Sequence, residues 1–101
     1  MSQFIISQSA SRDLSEIVDH FVVENIEAGE RLLKIFNQKC QQLVNFPNIG
    51  REYNNLRPGL RGLTLNGHII LYQTINDGIE IVRVVNGRRD LKALFANPSE
   101  E

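Results

Sequence analysis

The chain is poor in the residues that staple, break or anchor small proteins: one cysteine, three prolines and no tryptophan in 101 residues. A lone Cys40 cannot close an internal disulfide, so the fold rests on its hydrophobic core, and the residue suits a reducing compartment. Together with His20 and His68 it falls short of a structural zinc set, and no metal or other cofactor is expected. Long apolar runs are missing too. None approaches the roughly 18 residues of a membrane helix, so no membrane partner is expected. The opening MSQFIISQSASRD has no basic segment ahead of an apolar stretch, so a cytoplasmic location is expected. Phosphate loops, dinucleotide turns, His-Glu-x-x-His and serine nucleophile elbows are also absent. The net charge of −1 gives no global case for nucleic-acid binding.

What is present describes a globular chain. Apolar residues make up 42% and charged residues 23%, close to soluble averages, and the length suits a single domain over 1–101. The charge is uneven. Residues 1–50 carry four basic and six acidic side chains, whereas 51–92 carry seven basic and four acidic. Six of those seven are arginines: Arg51, Arg57, Arg61, Arg83, Arg88 and Arg89. The guanidinium fork suits phosphate and carboxylate, although a stretch of this charge is most often a solvated face.

Periodicity sets the elements. QFIIS at 3–7 reads as a strand. Ser9 is a candidate cap for a helix whose apolar positions are Ala10, Leu14, Ile17, Val18, Phe21 and Val22, ending near Glu24. Asn25 can cap a second helix, striped by Ala28, Leu32, Ile35, Phe36, Cys40, Leu43 and Val44. Pro47 stops it near Asn45. The near-absence of a linker predicts an antiparallel helix hairpin. Residues 46–59 read as loop, followed by three strands at 60–65, 68–75 and 79–85, divided by Asn66-Gly67 and Asn76-Asp77-Gly78. Arg88 to Phe95 reads as a short helical turn and 96–101 as a fraying tail. The fold class is therefore α+β: an N-terminal strand and a helix hairpin packed on a mainly antiparallel sheet, in the order β-α-α-β-β-β.

Two-residue loops at both turns predict that Arg61 faces Tyr72 and that Tyr72 faces Arg83. One face then carries Arg61, Leu63, Leu65, Ile70, Tyr72, Ile81, Arg83 and Val85; the other carries Ile69, Leu71, Ile75, Val82 and Val84. Both faces are apolar, while one helix hairpin covers only one. An uncovered apolar face predicts a partner. Candidate catalytic groups are few. Cys40 lies on an apolar helix stripe without an activating neighbour, His20 lies on the exposed side of its helix, and His68 begins a strand after a turn.

These segments resemble the ParE/RelE toxin superfamily along nearly the whole chain: SASRDLSEIVDHF, FPNIGR, LRPGLRGL, HIILYQ and IEIVRVVNGRRDL, in that order. The resemblance implies the toxin of a type II toxin–antitoxin module, of the kind linked to plasmid stabilization, with a ParD-like or related antitoxin as partner. ParE-type members inhibit DNA gyrase, and RelE-type members cleave messenger RNA on the ribosome. The cleaving members typically place an aromatic, often tyrosine, six residues after the arginine that follows the last strand. Here those positions are Arg89 and Phe95. They also carry an arginine where this chain has Ile69. Asn86 stands where many members have histidine. PNIGREYNNLRPGLR and IEIVRVVNGRRD lean towards ParE, which implies a binding toxin with no catalytic residue. A RelE-like ribosome-dependent endoribonuclease and a non-toxic relic that still binds its antitoxin are the alternatives. Target contact is expected at Arg83, Arg88, Arg89 and Asp90, with Arg51, Arg57 and Arg61 as accessory cations. Antitoxin contact is expected on the apolar sheet at Leu63, Ile70, Tyr72 and Ile81.

Overall fold

A computed structural model describes residues 3–96. The elements run β1 (Gln3–Ile6), α1 (Gln8–Glu24), α2 (Ile26–Asn45), β2 (Arg51–Glu52), β3 (Arg61–Leu65), β4 (His68–Ile75), β5 (Gly78–Asn86) and α3 (Leu91–Ala96). The strands form one mixed sheet in the order β1-β5-β4-β3-β2. β1 pairs parallel with β5, and the other neighbours are antiparallel. The α+β class stands, with a two-residue strand inside the segment read as loop. The tail expected to fray lies, beyond Ala96, outside the described residues.

Ser7, not Ser9, caps α1. Its Oγ accepts the Ala10 N–H at 3.0 Å and donates to the Val82 carbonyl at 2.8 Å. β1 stays paired with β5 as far as Ile6 opposite Ile81, and Ser7 then turns the chain into α1. One side chain thus satisfies an orphan helix donor and fastens the helix entry to the sheet. Asn25 serves α2 as expected, accepting the Glu27 N–H at 2.8 Å. Asn66 and Gly67 both take positive φ, 46° and 83°, as a type I′ turn requires. The register this imposes on β3 and β4 follows the expectation, including Leu65 opposite His68 and Arg61 opposite Tyr72.

The second hairpin departs from it. The turn is Asn76-Asp77, so Ile75 pairs with Gly78 and Tyr72 pairs with Ile81 rather than Arg83. The register then shifts between Tyr72 and Leu71, and Leu71 pairs with Arg83. This bulge leaves Val82 as the extra residue and reverses the face alternation beyond it. Val84 lies in the core beneath the helices, and Val85 lies on the other side. The expected row Arg61–Tyr72–Arg83 does not form.

Both faces of the sheet are covered. The main core packs Leu32, Phe36, Cys40 and Leu43 of α2 with Ala10 of α1 against Leu65, Ile70, Tyr72, Ile79, Ile81 and Val84. A second, smaller core joins Leu60, Leu71, Val82, Val85 and Leu94, flanked by Tyr53, Leu56, Ile69, Leu91 and Phe95. The segment after β2 and the short helix α3 supply its cover. The bare face expected from the strand pattern is therefore closed by residues that lacked a clear periodic signal.

Candidate functional site

The strand β5 leaves the sheet at Asn86 and makes a tight basic turn. The Gly87 N–H donates to the Gly67 carbonyl at 2.9 Å, which ties this turn to the β3–β4 hairpin. Asn86 holds the next two residues: its Oδ1 accepts the Arg88 N–H at 2.8 Å and its carbonyl accepts the Arg89 N–H at 3.0 Å. Arg88 and Arg89 are both exposed. Asp90 then starts α3. Its Oδ1 accepts the Lys92 and Ala93 N–H groups at 3.1 and 3.4 Å. Asp90, expected among the target contacts, thus turns its carboxylate to the helix start, where orphan donors and the helix dipole favour it. Leu94, 7% exposed, fixes α3 to the second core.

Arg83 stands apart from this pair. Its Nε and Nη2 donate to Asp13 Oδ2 and Oδ1 at 2.7 and 3.0 Å, and Asp13 Oδ2 also accepts the Val84 N–H at 3.0 Å. Both side chains are largely buried, at 13% and 15% exposure. The expected three-arginine cluster therefore divides into two exposed arginines and one that ties β5 to α1. Asp13 reads in the sequence as a polar spacer of an amphipathic helix, and nothing within its own helix signals a partner 70 residues away.

The accessory cations are engaged as well. Arg51 lies 5.3 Å from the centre of the Tyr53 ring and Arg57 lies 4.9 Å from that of Phe95. Arg61 Nη1 donates to the carbonyls of Asn48 and Gly50 at 3.1 and 2.7 Å, and Nη2 meets Glu52 Oε2 at 3.2 Å. The Tyr72 hydroxyl donates to the Pro47 carbonyl at 2.7 Å and accepts the Gly50 N–H at 2.9 Å. Burial pushes this phenol above its ordinary range, while the Gly50 bond and the Arg61 charge pull it down. Tyr72 and Arg61 thus fix the turn between α2 and β2.

The expected antitoxin surface needs correcting. Ile70, Tyr72 and Ile81 are fully buried beneath the helix hairpin and offer no surface, because the hairpin covers that face; only Leu63 is half-buried. Cys40 is also fully buried, and burial pushes its thiol up to about 12, which leaves it protonated and unreactive. His20 sets its ring edge-on to Phe21 at 6.1 Å, and His68 Nδ1 lies 3.4 Å from the Asn66 carbonyl. No three His, Cys, Asp or Glu side chains gather to hold a metal among the described residues. No helix among them is long and apolar enough to cross a membrane.

The described residues thus form a small α+β domain with a helix hairpin on one face of the sheet and a basic turn after its last strand. Residues 4–91 match the family model for the ParE toxin of the type II toxin–antitoxin system parDE, and the chain belongs to that family. It is 29% identical over 92 residues to Toxin ParE1 of Mycobacterium tuberculosis, covering 89% of this chain and 94% of the relative. It is 28% identical over 94 residues to Toxin ParE3 of Caulobacter vibrioides, covering 92% and 94%. A solved structure described as the chromosomal ParDE TA system from P. aeruginosa superposes with a TM-score of 0.71 at 25% identity, covering 85% of this chain and 96% of that one.

Proposed function

We propose that this ParE-type toxin acts in the cytoplasm by binding and inhibiting DNA gyrase, that Arg88 and Arg89 are its principal target contacts, and that a ParD-like antitoxin neutralises it. The observation that carries the reading is the basic turn. Two adjacent exposed arginines sit on backbone fixed by bonds to Gly67 and Asn86, and neither has an ion-pair partner among the described residues. A fixed turn loses little entropy on binding, so forked contacts made from it keep more of their energy. Leu63, half-buried on β3, is the residue of the expected antitoxin set that retains some surface.

The surroundings give cleavage of messenger RNA little support. Phe95 has no hydroxyl and lies beneath Arg57, Ile69 is packed into the second core, and Arg61 is spent on loop carbonyls. General acid–base chemistry needs a placed proton carrier; the strand pairing puts His68 opposite Asn86 beside the basic turn, but the hydroxyl that the cleaving members often carry is missing at Phe95.

The test is the double variant Arg88→Ala, Arg89→Ala, induced beside the parent and assayed for growth arrest and for inhibition of gyrase supercoiling. Both activities are expected to be lost, with the fold kept to within about 0.5 kcal/mol because the sites are exposed. A folded, antitoxin-binding double variant that still inhibits supercoiling removes these arginines from the contact. Growth arrest by the parent without gyrase inhibition promotes the ribosome as target. No arrest by the parent favours a relic that retains only antitoxin binding.

A further inference from the structure

The bulge in β5 decides how the end of the sheet is presented. Without it, the pairing of Tyr72 with Ile81 would continue as Leu71 with Val82, Ile70 with Arg83 and His68 with Val85. Strand alternation would then put Val85 on the side of the helix hairpin and Val84 on the other. With the bulge the two valines exchange sides, and Asn86 stands opposite His68. Val85 then shares the second core with Leu71 and with Leu94 of α3. Asn86, the residue that holds the Arg88 and Arg89 amides, starts from that orientation.

Asp13 meets this bulge from α1. Its carboxylate takes both nitrogens of the Arg83 fork and also gives the Val84 N–H an acceptor outside the ladder, all at 2.7 to 3.0 Å. A bulge disrupts the local ladder, and an outside acceptor for one of its amides favours it over the regular register. We propose that Asp13 is the positioning residue for the basic turn: by holding the β5 bulge it sets the face on which Val85 and α3 dock, and through them the placement of Arg88 and Arg89. The functional half of this rests on the reading that those arginines meet the target; the structural half does not.

The two halves separate in one set of experiments on the full chain. Asp13→Asn keeps an oxygen for the Val84 N–H and drops the charge, whereas Asp13→Ala removes both. In the alanine variant, the nuclear Overhauser contacts between His68 and Asn86 across the strands, and between Val85 and Leu94, are expected to vanish. The concentration needed to inhibit supercoiling is expected to rise about tenfold or more. The asparagine variant is expected to keep those contacts and to stay within about threefold of the parent. A merely stabilising ion pair would behave differently: both variants would melt earlier and both would keep the contacts. A folded Asp13→Ala protein with the contacts intact overturns the proposal. Should that variant fail to fold, the parent decides through hydrogen exchange. The Val84 amide is expected among the slowest in β4 and β5, and exchange as fast as at Arg88 overturns the proposal. If the contacts vanish but inhibition is unchanged, Asp13 positions the turn and the turn is not the contact. That outcome ends the functional half alone.

Discussion

The backbone N–H of Gly50 ends on the hydroxyl of Tyr72, 2.9 Å away and 22 residues further along the chain. The same hydroxyl donates to the Pro47 carbonyl, so a fully buried tyrosine closes both ends of the turn that follows α2. A Cβ on Gly50 would lie 2.5 Å from that oxygen, which explains the glycine.

Tyr72→Phe is expected to destabilise the protein by about 1–3 kcal/mol, because it leaves the buried Gly50 N–H without a partner while keeping the ring in place. Urea unfolding measures the loss, and amide exchange at Gly50 should accelerate more than at Leu71. Unchanged stability would mean that water or the turn itself takes over the hydroxyl's role.

Arg61 and Glu52 form an ion pair in which Glu52 is mostly exposed, and the pair alone should contribute little. Glu52→Ala is therefore expected to change stability by less than about 0.5 kcal/mol. Arg61→Ala also removes the bonds to the Asn48 and Gly50 carbonyls and should cost about 1–3 kcal/mol. Equal effects of the two substitutions in denaturant titrations would put the weight on the ion pair instead.

Cys40 should resist alkylation in the native protein near pH 8 and react only at the rate of unfolding, since the thiolate is the reactive form. Its folded pKa is raised from 9.0 to about 12, so the native state holds the proton where the unfolded state releases it. That contribution is complete below about pH 9 and is lost as pH rises from there towards about 12. Stability measured across that window should fall more steeply for the parent than for Cys40→Ala. Parallel curves would show that the thiol does not contribute to the slope.

Induction of the parent should leave transcript 5′ ends unchanged within ribosome-bound messages, because Phe95 cannot exchange a proton and Ile69 cannot neutralise a phosphate. A placed proton carrier typically supplies about 10²–10⁴-fold. Rapid cleavage positioned by codon would restore the endoribonuclease reading.

Some of this protein could be read residue by residue. The apolar stripes of α1 and α2, the Asn25 cap, the stop before Pro47 and the Asn66-Gly67 turn are local signals. Each predicted its element because helix spacing, capping and positive φ act within a few residues. The basic segment from Arg88 to Lys92 was equally legible as composition. Ser7 carries no local signal that favours it over Ser9 as the cap, because its hydroxyl also bonds the carbonyl of Val82 in a distant strand. β2 has no signal of its own, since two residues carry no period and its pairing with Arg61 and Gly62 is what makes it a strand.

Short-range spacing and composition carry the helix hairpin, the antiparallel meander and the lack of an internal disulfide, while the family comes from the resemblance of whole segments to the ParE/RelE superfamily. Only the tertiary structure decided the bulge in β5. The burial of Ile70, Tyr72 and Ile81 comes from the helix hairpin packed over their face, the second face is closed by Leu60 and Leu94, and the Asn76-Asp77 turn takes Arg83 out of register with Tyr72. The reason lies in long-range contact: Asp13 of α1 bonds Arg83 and the Val84 amide at the bulge. Asp13 meets β5 from a helix packed on the sheet, and a bond between residues 70 positions apart leaves no trace in the local pattern of either.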